Sequence, residues 1–140
     1  MTKNILILLI CLSGCNSIKK EDCNMDDLKM KLISRSLEVG TFKDMIDNDG
    51  FHKTGVIILD SLGVAGERSF VKFGKPVLFY NRKELDIAKI INYIGIKSIS
   101  LDEKNATIDL RYDPEGVKVV CVFKKSNCDW SLERATLTEH

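Results

Sequence analysis

Proline and histidine are scarce in this chain of 140 residues, at two each, there is one tryptophan, and neither sign of charge dominates. Two prolines exclude a proline-rich linker or a collagen-like repeat. Lys and Arg number 21 against 20 Asp and Glu, so no basic field exists to draw in nucleic acid. With only His52 and His140, and no two cysteines at C-x-x-C spacing, a zinc site has no ligand set. No apolar run approaches the roughly twenty residues that a membrane-spanning helix needs. The G-x-S-x-G elbow, the P-loop and the dinucleotide fingerprint are missing as well. Asp47-Asn48-Asp49-Gly50 resembles a calcium loop only at first sight. With Gly50 at the sixth position, Met45 falls at the first and Val56 at the twelfth, where acidic ligands are required, so the segment reads as a turn.

What is present begins at the amino terminus. Lys3 precedes the apolar run Ile5–Leu12, and small residues follow, which is the layout of an export signal. Leu12-Ser13-Gly14-Cys15 resembles the bacterial lipobox in all four positions. That resemblance to bacterial lipoproteins implies cleavage before Cys15, a thioether-linked diacylglycerol on its sulfur, and acylation of the new amino group. Two or three acyl chains, at about 0.8 kcal/mol per buried methylene, hold a protein on a membrane where one chain does not. Residues 1–14 are expected to be removed, 15–24 to form a lipidated tether, and 25–140 to form one domain. The polar stretch Asn16–Asp22, fully extended, reaches about 25 Å from the lipid. Asn16, rather than Asp, after the lipidated residue is similar to lipoproteins sorted to the outer membrane. Lys20-Glu21-Asp22 is similar to a surface-export signal, or else is a solvated charge run. The expected location is the cell envelope, with the domain facing the periplasm or the cell surface.

Cys23, Cys121 and Cys128 remain for the domain. In an oxidising compartment one disulfide is expected, and three cysteines cannot all pair. Cys121 reads as a buried small hydrophobe and Cys128, at a turn, as the partner for Cys23, with a free Cys23 as the alternative.

Asn24 caps a helix with Asp26 and Asp27 in its first turn and an apolar stripe of Met25, Leu28, Leu32, Ile33 and Leu37, ending at Gly40. Thr41 and Asp44 start a short second helix carrying Phe42, Met45 and Ile46. Val56–Leu59 suits a buried strand, Ser61–Gly66 a flexible glycine-rich loop at a pocket mouth, and Ser69–Phe73 and Val77–Tyr80 strands around Gly74-Lys75-Pro76. Asn81 and Glu84 form a capping box for a helix running to Gly95, with an apolar face wide enough for burial on more than one side.

The remainder is expected to be a four-stranded antiparallel meander: Ile96–Leu101, Ala106–Tyr112, Val117–Phe123 and Asp129–Leu137. The turn Asp113-Pro114-Glu115-Gly116 sets Tyr112 against Val117, Leu110 against Val119 and Ile108 against Cys121 on one core face. A third turn at Ser126-Asn127 sets Trp130 against Phe123 and Leu132 against Cys121. The opposite face carries Asp109, Arg111, Lys118 and Lys124, with Glu133 and Arg134 nearby, and Val120 and Val122 are apolar exceptions to it.

The fold class is therefore α+β, with N-terminal helices and one further helix packed on a curved sheet. Element order and the late Trp130 resemble the NTF2-like cone of small bacterial lipoproteins, and a cystatin-like helix-on-sheet arrangement is the alternative. The expected function is a non-catalytic binding or interaction module on the envelope, taking a protein partner or a small apolar ligand at Tyr80, Tyr112, Phe123 and Trp130. Two alternatives stand: a small NTF2-like hydrolase or isomerase using His52 or Asp109, and a lipoprotein conferring immunity to a toxin. No cofactor is expected, and the membrane is the one partner the residues imply.

Overall fold

The computed structural model describes residues 24–40, 43, 44, 46 and 55–139. Asn24 opens helix α1 (Met25–Ser36), its side chain accepting the backbone N–H of Asp26 at 3.0 Å. Asp26 and Asp27 lie at the positive end of the helix dipole. The helix ends at Ser36, earlier than the expected Gly40, where Leu37 caps it. Leu28, Leu32, Ile33 and Leu37 are all buried, as the apolar spacing requires. Of the second expected helix, Thr41, Phe42 and Met45 lie outside the described residues, as do 47–54. Ile46 is buried in the core.

Seven strands follow in one mixed sheet: β1 (Val56–Leu59), β2 (Phe70–Lys72), β3 (Lys75–Tyr80), β4 (Ile94–Leu101), β5 (Asn105–Tyr112), β6 (Val117–Ser126) and β7 (Asp129–Glu139). Their spatial order is β2-β3-β1-β4-β5-β6-β7, curled into a half-barrel. The expected four-stranded antiparallel sheet is thus replaced by a larger one. β1 runs parallel to both of its neighbours, β3 and β4, and joins the β2–β3 hairpin to the last four strands. A parallel strand sits between layers and is buried on both faces, which is why Val56–Leu59 is apolar at every position.

The two faces of β1 lead to two clusters. Val56 and Ile58 join α1, Ile94, Ile108, Leu110, Val119 and Phe123 in the main core. Ile57 and Leu59 point the other way, onto Leu85 of helix α2 (Arg82–Ala88). Helix α2 has the expected capping box, with Asn81 Oδ1 accepting the Glu84 N–H at 2.9 Å and Glu84 Oε2 accepting the Asn81 N–H at 2.8 Å. It does not run on to Gly95. Lys89 turns left-handed at φ 54°, and Ile94 and Gly95 already belong to β4. Nor is its wide apolar face buried on more than one side: Leu85 is 1% exposed, but Ile87 and Ile91 are 72% and 78% exposed.

Two turns show why the chain folds back where it does. Phe73 and Gly74 both have positive φ, 52° and 71°, the conformation that a two-residue hairpin between β2 and β3 demands. Asp113-Pro114-Glu115 forms a single 3-10 turn closed by Gly116 at φ 64°. From it β5 and β6 pair in the expected register, Tyr112 with Val117, Leu110 with Val119 and Ile108 with Cys121.

The register of β7 differs from expectation. The loop is Asn127-Cys128 between paired Ser126 and Asp129, so Trp130 faces Lys125, Leu132 faces Phe123 and Ala135 faces Cys121. A bulge at Val122/Phe123 leaves Glu133 as an extra residue in β7. A second irregularity, at Ile96/Ser98, leaves Lys97 as an extra residue in β4 against β5. Such bulges increase local twist and help the sheet curl.

Candidate functional site

At the carboxyl ends of the parallel strands β1 and β3, the chain leaves a cleft of about 220 Å³ lined by Asp60, Gly63, Gly66, Phe79, Tyr80, Asn81 and Glu84. The sheet places it: Leu59 and Tyr80 are register partners, and Asp60 donates its N–H to the Tyr80 carbonyl at 2.9 Å. Two connections diverge from that point, the 60–69 loop after β1 and the Asn81 turn into α2. In sheets with parallel strands, the crevice beyond their carboxyl ends is the habitual place for ligands.

Asp60 organises the loop side. Its Oδ1 accepts the Val64 N–H and its Oδ2 the Ala65 N–H, both at 2.9 Å, and the residue is buried. The carboxylate therefore has a structural task and a fixed position. Gly63 and Gly66 have φ of 66° and 58°, with open space where a side chain would begin, so a ligand can approach the loop backbone closely. On the other side, the reciprocal bonds of the capping box hold Glu84 and Asn81. The basic residue beside that turn, Arg82, is directed elsewhere. Its Nη1 donates to the Tyr93 hydroxyl at 2.9 Å, a bond that raises its already high pKa, and its guanidinium lies 5.3 Å from the Tyr93 ring centre.

The residues singled out in the sequence do not gather at one place. Tyr80 lines the cleft, whereas Tyr112, Phe123 and Trp130 are buried in the main core on the other side of β1. Trp130 also borders a pocket of about 10 Å³ with Leu28, Lys31, Leu32, Arg35, Cys128 and Asp129. Its indole N–H finds no hydrogen-bond partner among the described residues. Arg35 and Asp129 close that region with an ion pair at 3.2 Å.

Asp109 lies on the outer sheet face, with Oδ2 3.1 Å from Lys118 Nζ and Oδ1 3.9 Å from Arg111 Nε. Glu133 is paired with Lys124 at 3.8 Å. Asp109–Lys118 and Lys124–Glu133 are cross-strand charge pairs, Asp109 and Arg111 are neighbours on one face of β5, and Val120 and Val122 beside them are half-buried. His52, the proposed partner of Asp109, and Cys15, the proposed lipidation site, lie outside the described residues. Among the described residues no group of three potential metal ligands converges, and no helix is long and apolar enough to cross a membrane.

Cys128 is disulfide-bonded and Cys121 is a free, buried thiol. Burial pushes the Cys121 thiol pKa up, with a hydrogen bond to Ser36 partly opposing it. The partner of Cys128 is therefore not Cys121 and lies outside the described residues.

The cleft residues least visible in the sequence are Asp60, Asn81 and Glu84. An acidic residue ending an apolar strand just before a glycine-rich loop is the signal that marks Asp60. The capping box marks Asn81 and Glu84, but as a helix start and not as a wall. No known family, curated protein or solved structure matches this chain.

Proposed function

We propose that this chain is a lipid-anchored binding module of the cell envelope, tethered through Cys15, which recognises its ligand at the cleft between the 60–69 loop and the first turn of α2. The observation that carries the binding reading is the cleft itself. Its walls are fixed by hydrogen bonds made within the protein, it sits where two connections diverge from parallel strands, and it is lined by aromatic, amide and carboxylate groups. The lipobox Leu12-Ser13-Gly14-Cys15 supports the anchor. The NTF2-like likeness belongs to this proposal too: a sheet curled about α1 favours it, and α2 on the reverse face departs from it.

Cys23 is the proposed partner of Cys128. Cys128 lies beside Leu28, Lys31 and Arg35 of α1, and Cys23 immediately precedes the cap of that helix. The bond would leave only residues 16–22 as free tether, so the domain stays within about 25 Å of the lipid. Peptide mapping without reduction should recover a linked pair containing Cys23 and Cys128. A different partner for Cys128 would overturn the pairing.

The binding reading is tested by affinity purification from envelopes, comparing the native chain with a Gly63→Asn, Gly66→Asn variant. Asparagine tolerates the left-handed conformation and narrows the cleft mouth. A ligand or partner recovered with the native chain and lost from the variant supports the reading. Equal recovery with both places the binding surface elsewhere.

A further inference from the structure

We infer that the cleft takes a small organic cation, a primary ammonium or guanidinium group on a short aliphatic stem. The inference rests on the cleft being the binding site. Among the described residues, the two charged ones that line it, Asp60 and Glu84, are both acidic, and no lysine or arginine does. The adjacent cation that would neutralise them, Arg82, is held by Tyr93 through a hydrogen bond and ring contact.

Both carboxylates are held in place before any ligand arrives. Asp60 is fixed by the Val64 and Ala65 N–H groups and Glu84 by the Asn81 N–H. Each carboxylate offers about four lone-pair positions, and these bonds leave acceptor capacity over. Asn81 adds an amide whose Oδ1 is already committed to the Glu84 N–H. Phe79 and Tyr80 also line the cleft, from opposite faces of β3, and an aromatic ring is the other group that attracts an ammonium or guanidinium ion. An anion would meet two fixed negative charges, and the one nearby helix start is already capped. Size gives the last limit. About 220 Å³ is below the roughly 300–1,000 Å³ of pockets that hold drug-sized ligands, so the occupant is a few heavy atoms long.

The experiment is calorimetric titration of the full mature protein, purified from envelopes in detergent, with putrescine, glucose and inorganic phosphate in parallel. Hydrogen exchange of peptides covering 60–66 and 79–84 locates any binding. The expected result is saturable heat with putrescine alone, protection of those two segments, and affinity that falls as salt is raised. Glu84→Gln keeps the capping box, since glutamine makes the same backbone bond, but removes one charge. It should weaken putrescine binding roughly fivefold while leaving the exchange pattern of the unliganded protein unchanged. Glucose or phosphate protecting the same segments in place of putrescine overturns the cationic assignment and leaves the cleft as the binding site. No protection of the cleft by any of the three, or a Glu84→Gln variant that binds putrescine as tightly as the native chain, overturns the inference. In the first of these cases the Gly63→Asn, Gly66→Asn comparison decides separately whether the cleft binds anything at all.

Discussion

At the scale of single residues, Gly55 shows how little freedom the entry to β1 has. Its φ is 85°, and a Cβ at this position would meet the Pro76 carbonyl oxygen at 2.4 Å. Both the backbone conformation and the space demand glycine. Gly55→Ala should destabilise the domain by more than about 2 kcal/mol, read from urea unfolding; a change within experimental scatter would contradict this account of the β1–β3 contact. Asp102 makes a prediction of a different kind. Its carboxylate accepts the N–H groups of Lys104 and Asn105, which hold its pKa below the usual 3.8. A lowered folded-state pKa adds stability above the unfolded value, and that stability is lost as pH falls through the folded one. Asp102→Asn should therefore reduce the fall in unfolding free energy measured as pH is lowered below about 4. Parallel curves for variant and native protein would remove Asp102 from the acid response. The Gly55 clash is not legible in the sequence, because it depends on which strand lies opposite, whereas the Asp102 bonds are local to the turn at Glu103-Lys104-Asn105, which the sequence does mark.

At the scale of elements, legibility followed the range of the signal. The Asn24 cap, the Asn81–Glu84 box and the Asp113–Gly116 turn are local, and the β5–β6 register follows directly from that turn. Helix α2 was over-extended because Ile87, Ile90, Ile91 and Ile94 continue a helical spacing, whereas the chain leaves the helix at Lys89 to enter β4. The β6–β7 register was missed because the bulge that admits Glu133 has no local marker. The consequence for α2 is measurable. Leu85→Ala, at the buried contact with Ile57 and Leu59, should cost about 2–5 kcal/mol, while Ile87→Lys on the exposed side should stay within about 0.5 kcal/mol of native. Equal effects in urea unfolding would mean that the exposed side of α2 is covered. Element ends also carry the disulfide. Cys128→Ser should lower stability by about 2–5 kcal/mol, and the native protein treated with reductant should match it. A variant as stable as the oxidised native protein would deny the bond a structural role.

At the scale of the molecule, the α+β class was readable, but the sheet was not. Val56–Leu59 reads as a buried strand from its unbroken apolar run, yet nothing local says that it lies parallel between β3 and β4. That placement unites the hairpin and the last four strands in one sheet and creates the cleft at its carboxyl end. The candidate site is accordingly only half legible in the sequence: Tyr80 and the glycine-rich loop stand out, while Asp60 and the capping residues become walls only once β1 and β3 are adjacent. Tyr112, Phe123 and Trp130, which the sequence places on the core face and also offers as ligand-pocket residues, are buried in the main core and do not line the cleft.

The central functional claim concerns where this domain is held, and one measurement addresses it most directly. Cells grown with labelled palmitate, with and without globomycin, would be fractionated for the native chain and for Cys15→Ser. The account predicts label on the native protein in the membrane fraction, accumulation of the longer precursor with globomycin, and loss of label in the variant. An unlabelled native protein whose processing ignores globomycin would contradict it.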